Sequence, residues 1–109
     1  MIVNHTNDKA IINRILKNDD VWSRVAEEGV SKDAYQPPDG PYYIVEESGS
    51  ALLIGHWKNH ITIEVHINVI PEFRHKAKEF AELAVQWLWD NTRCQKLVAE
   101  IPEIFPDVV

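Results

Sequence analysis

The sequence predicts an α/β domain whose sheet is mixed but mostly antiparallel. Three observations carry that prediction. Ile61, Ile63, Val65, Ile67 and Val69 alternate with Thr62, Glu64, His66 and Asn68, the period-two pattern of a strand with one buried face. After Pro71 the period changes, and Ala77, Phe80, Ala81, Ala84, Val85 and Leu88 recur at three and four residues, the apolar stripe of an amphipathic helix. Upstream, the apolar runs "PYYIVEE" and "ALLIGHW" flank Ser48-Gly49-Ser50, a turn sequence, and read as an antiparallel hairpin.

Taken in order, Met1 to Thr6 alternates briefly and reads as an edge strand. Asn7 or Asp8 caps a first helix with Ile11, Ile12, Ile15 and Leu16 on one face. Asp19 and Asp20 cap a second, carrying Val21, Trp22, Val25 and Ala26, and Gly29 ends it. Residues 30 to 41 hold a Pro-Asp-Gly signal and form a surface connection. The hairpin follows, Asn59 and His60 turn the chain into the alternating strand, and the long helix ends near Asn91. Trp87 and Trp89 cannot both face the sheet. Lys96 to Ile101 reads as a short buried strand, after which "PEIFPDVV" completes the chain.

The 109 residues, 45% hydrophobic and 26% charged, suit one globular domain spanning 1–109. A formal charge of −6 argues against nucleic acid and anionic membranes as partners. A single cysteine, Cys94, excludes an internal disulfide. With no signal peptide and no apolar run near ~18 residues, a cytoplasmic protein is expected.

The run "NVIPEFRHKAKEFAELAVQWLW", followed by "KLVAEIPE", resembles the acetyl-CoA-binding core of the GNAT (GCN5-related) N-acetyltransferase superfamily. There the fourth strand ends in V-x-P-E-x-R, overlapping a turn of the form R/Q-x-x-G-x-G/A. Val69, Pro71, Glu72 and Arg74 match, and Lys76 is a common companion. Ala77 stands at the first glycine and Glu79 at the last small residue. Glycine there lets backbone approach a pyrophosphate, and a carboxylate at 79 repels one, so both departures weaken acetyl-CoA binding. The resemblance implies a GNAT-like sheet, with Lys96–Ile101 parallel to the alternating strand after a right-handed crossover through the helix. It also implies a further helix and two strands not found in this sequence, so a shortened relative, a fragment of a longer chain or a fold completed by a partner is expected, with Phe105, Val108 and Val109 as an exposed apolar patch that a protein partner or a second copy would cover. Small GNAT-like proteins of this kind are similar to some carried by tailed phages and prophages.

On that resemblance, acetyl-CoA contacts Val69, Ile70, Phe73, Arg74, His75, Lys76, Ala77 and Lys78. Main-chain N–H groups from Phe73 to Lys78 cradle the phosphates, and Val69 and Ile70 line the thioester. Glu64 and His66, two apart on the polar face, are the candidate bases for a small-molecule or protein amine, with Trp22 to Tyr35 as the acceptor surface. His56, His60 and His66 invite a metal reading, but no metal site is expected: His56 and His60, four apart on a strand and turn, are ~13 Å apart at full extension, and no HExxH or paired-cysteine spacing occurs. Cys94 has no evident base partner. The alternative is a GNAT-like module that keeps the fold without the reaction, as a binding or assembly component.

Overall fold

The computed structural model describes residues 1–25 and 29–100. A short first strand, β1 (Val3–His5), leads to two helices, α1 (Lys9–Leu16) and α2 (Asp19–Val25). The hairpin strands β2 (Tyr42–Glu46) and β3 (Ala51–Trp57) precede β4 (Thr62–Val69). A 3-10 helix (Pro71–Lys76) then runs into α3 (Ala77–Asn91), and β5 (Lys96–Glu100) follows. The five strands lie in chain order, β1 to β4 antiparallel and β5 parallel to β4. The mixed, mostly antiparallel sheet is therefore as expected.

Alternation along the strands divides the core in two. Leu53, Ile63, Val65 and Val69 face α3 and pack against Ala77, Phe80, Ala84 and Leu88. Phe80 is fully buried, worth roughly 2–3 kcal/mol of transfer free energy. On the other face Tyr43, Val45 and Leu52 pack against Ile12, Ile15, Leu16 and Val21 of α1 and α2. The polar residues of β4 therefore look toward the side that α1 and α2 only partly cover.

Local chemistry explains most boundaries. Asp8 caps α1 by accepting from the Ala10 N–H at 2.9 Å. At α2 the cap is Asn18, whose Oδ1 accepts from the N–H groups of Asp20 (3.1 Å) and Val21 (3.4 Å). Asp19 and Asp20 thus lie inside the first turn, where their charge favours the dipole, rather than at the cap. Gly49 closes the β2–β3 turn at φ +79°, its N–H donating to the Glu46 carbonyl. Tyr43 anchors the 30–41 connection by donating its hydroxyl to the Pro38 carbonyl at 2.6 Å.

Two further expectations need correction. Ile61 is not on the strand but in the turn, 44% exposed, because Asn59 Oδ1 accepts from the N–H groups of both Ile61 and Thr62 and winds the chain one residue further. The basic turn that the sequence places between strand and helix winds as 3-10 helix, and α3 begins at Ala77, where the apolar stripe begins. β5 is not buried: Leu97 packs partly on the α3 core, but Val98 is 39% exposed, since α1 and α2 cover other strands. Of the paired tryptophans, Trp87 packs on the core and stacks on His5, while Trp89 is exposed. Cys94 is buried at the end of α3. Ala26, Ile101, Phe105, Val108 and Val109 lie outside the described residues.

Candidate functional site

The β3–β4 register sets His56 opposite Glu64 and Ile54 opposite His66, so three ionisable side chains share one patch of the α1/α2 face. His66 Nε2 lies 3.0 Å from Glu64 Oε1, and His56 Nε2 lies 3.7 Å from the same oxygen. The two imidazoles stack at 5.6 Å between centroids with an interplanar angle of 15°. Lys58 Nζ holds the other carboxylate oxygen, Oε2, at 2.9 Å. Glu64 and His66 are half-buried, whereas Thr62 and Asn68 at the ends of the stripe are buried.

The hydrogen bond from Lys58 is the largest influence on Glu64. Opposed by burial and aided by the Lys58 charge and by His66, it holds the carboxyl below the usual carboxylate range. A carboxylate so depressed is a poor proton acceptor at neutral pH but a good orienting anion for an imidazole. The sequence singles out His56 only as a metal ligand set aside for its distance from His60, and it does not single out Lys58. Where both lie against Glu64 depends on the length of the turn between β3 and β4, which the letters do not fix.

The segment after β4 distributes its groups differently. The Val69 side chain is buried against α3 while its carbonyl accepts from Arg24 Nη2 at 3.2 Å. Ile70 packs on the α1/α2 side, and its N–H donates to the Ser50 carbonyl at 3.0 Å. Phe73 is partly buried, with its N–H on the Ile70 carbonyl. Arg74 reaches back to Asp20 Oδ2 at 2.7 Å, a carboxylate oxygen that also takes Arg24 Nη2 at 2.9 Å. The Ala77 methyl sits in the core and its N–H donates to the Arg74 carbonyl. His75, Lys76, Lys78 and Glu79 are exposed, and neither the 3-10 helix nor α3 has a side-chain cap at its start.

A cradle of unpaired N–H groups from Phe73 onward is therefore not what this segment presents. The N–H groups of Phe73 and Ala77 are bonded within the turn, because 3-10 winding pairs each N–H with the carbonyl three residues back. The side chains of His75, Lys76 and Lys78 are exposed beside the uncapped start of α3. Along β4, His66 stands four residues from Ile70 and Glu64 six, or ~13 and ~20 Å at strand rise. His66 is the nearer of the two to this end of the strand. Trp22 and Tyr35 meet edge to face at 5.5 Å, and Tyr35 packs on the same core as Ile54, the cross-strand neighbour of His66.

No family model matches the sequence, and no curated protein matches it. Among solved structures, glucosamine-6-phosphate N-acetyltransferase from Arabidopsis thaliana superposes with a TM-score of 0.53 at 14% sequence identity, covering 95% of this chain and 84% of that chain. At that identity the likeness establishes the fold, a GNAT-like arrangement of mixed sheet and helices. No helix among the described residues is long and apolar enough to cross a membrane.

Proposed function

We propose that the chain is a GNAT-like N-acyltransferase, taking an acyl group from an acyl-CoA such as acetyl-CoA to a small-molecule or protein amine, with His66 as proton acceptor and Glu64 as the carboxylate that orients it. The single observation that supports this is the 3.0 Å contact between His66 Nε2 and Glu64 Oε1, half-buried on the open face of β4 in an N-acetyltransferase fold. The amine attacks the thioester carbonyl of acyl-CoA, forming the amide C–N bond as the C–S bond breaks; the amine gives up one proton, and CoA leaves as its thiolate, which takes a proton from solvent. With its Nε2 proton held by Glu64, His66 keeps Nδ1 basic, and the neighbouring carboxylate stabilises the imidazolium formed when Nδ1 takes that proton. His75, Lys76 and Lys78 are the residues to hold the cofactor phosphates, through side chains rather than main chain. Trp22 and Tyr35 supply an aromatic wall for the acceptor.

A GNAT-like binding or assembly protein without the reaction is the second reading. It draws on Arg74 and the N–H groups of Phe73 and Ala77, all committed to the protein's own fold. Calorimetric titration with acetyl-CoA separates the two, comparing the wild-type chain with Glu79→Gly and with Lys76→Ala/Lys78→Ala. Binding by the wild type that the double lysine variant loses supports the transferase. Binding that appears only once Glu79 is removed indicates a retired site. No binding in any of them overturns the transferase reading and leaves the second.

A further inference from the structure

We propose that His56, Glu64 and His66 form a binding site for one divalent first-row transition-metal ion, with zinc(II) as its natural probe. One ligand atom from each side chain can be chosen so that all three lie within 4.8 Å of one another. A tetrahedral ion with bonds of about 2.0–2.1 Å sets its ligands about 3.3 Å apart, a spacing bracketed by the 3.0 and 3.7 Å separations of the two Nε2 atoms from Glu64 Oε1. Because the imidazoles stack at an interplanar angle of 15° and a ring nitrogen's lone pair lies in its ring plane, at least one ring must rotate about its side-chain bonds to bring both nitrogens onto the ion.

The donor set also selects the ion. Two imidazoles and one carboxylate suit borderline divalent metals, whereas calcium and magnesium prefer all-oxygen shells and copper(I) prefers sulfur. Three protein ligands leave a position for water, and the half-exposed patch gives ion and water a way in. Placement on paired strands fixes His56 across from Glu64, and Lys58 holds Oε2 so that Oε1 is turned to the rings. The Lys58 ammonium is the opposing charge; it lowers affinity without blocking the Oε1 side. His60, in the adjoining turn, is exposed and outside the cluster. Metal binding does not rest on acyl transfer. An ion on His66 Nε2 replaces the proton held there by Glu64, so the two uses of the patch exclude one another.

The test uses the full chain without an affinity tag, stripped with chelator. Zinc(II) is titrated by calorimetry, and the imidazole C–H signals of the five histidines are followed by NMR. One ion per chain is expected, with His56 and His66 shifting and His5, His60 and His75 unmoved. His56→Asn and His66→Gln should each weaken binding by about tenfold or more, and His60→Gln should not. Absence of saturable binding in the wild type overturns the site. So does a zinc-induced shift centred on His60 or His75, or full affinity in the His56→Asn/His66→Gln double variant. Because the NMR assignment uses the wild type, the answer stands even where a variant fails to fold.

Discussion

The Asp20 carboxylate and the Arg74 guanidinium meet at 2.7 Å across 54 residues of chain, tying the start of α2 to the turn after β4. Both side chains are about a third exposed, so solvent screens the pair, while sharing of Asp20 with Arg24 makes it a small network. Asp20→Asn should cost about 1 kcal/mol in urea unfolding, with the difference shrinking in high salt. Arg74→Ala should likewise lower stability, yet leave acetyl-CoA affinity nearly unchanged, because Lys76 and Lys78 rather than Arg74 are free to face a phosphate. A loss of affinity equal to that of the lysine variants would refute this division of labour.

Ala77 occupies the position where a GNAT-type turn carries glycine, but its methyl is part of the core under α3. Ala77→Gly removes buried carbon and loosens the first turn of the helix. The expected result is a loss of about 1 kcal/mol of stability with no gain in cofactor affinity. Tighter acetyl-CoA binding by the glycine variant would show that the methyl obstructs the site.

Gly55 lies on β3 where α3 comes close to the sheet. A Cβ there would meet Ile63 Cγ2 at 3.1 Å, Leu53 Cδ2 at 3.6 Å and Leu88 Cδ1 at 3.7 Å. Gly55→Ala should therefore destabilise by about 1–3 kcal/mol through overpacking, measured as a lower thermal midpoint. A neutral substitution would mean that α3 has room to shift.

The lowered pKa of Glu64 has a definite consequence in acid. Its stabilising contribution is complete above the ordinary carboxylate pKa and is lost as pH falls through the depressed folded value. Thermal midpoints of wild type and Glu64→Gln should differ most near neutrality and converge as the pH falls below the ordinary carboxylate range. A gap that stays constant over this range would mean that the carboxyl is not perturbed by Lys58.

Tyr43 makes the opposite prediction in alkali. Burial first, with the neighbouring Tyr35 and Asp39 adding to it, pushes its phenol up to about 12. The unfolded chain loses that proton near pH 10 while the folded chain keeps it, so stability should fall between pH 10 and 12. Tyr43→Phe should be less stable at pH 8, for want of the bond to the Pro38 carbonyl, but lose less on going to pH 11. Parallel pH curves for the two proteins would rule out this origin.

Much of the architecture was legible because it follows from periodicity and from short-range bonds. Alternation from Ile61 to Val69 marked β4 to within one residue, the 3.6-residue stripe of Ala77, Phe80, Ala84 and Leu88 marked α3, and Asn7 or Asp8 marked a helix start that the structure assigns to Asp8. The failures share a cause. Asn18 and Asp19 are both competent caps, and choosing between them depends on how α1 hands over to α2. The sequence equally left open whether Arg74 faces a ligand or an aspartate 54 residues away.

What the letters alone determined, then, is the order and kind of the elements, since side-chain period and turn chemistry are properties of neighbours along the chain. Only the tertiary structure decided the site. A two-residue turn at Asn59-His60 would pair Lys58 with Ile61 and so set His56 opposite Ile63, but the observed turn includes Ile61, which sets His56 opposite Glu64. Because a strand's side chains alternate, that single residue moves an imidazole from an apolar partner to a carboxylate. Contacts between strands select that register, and no local pattern encodes it.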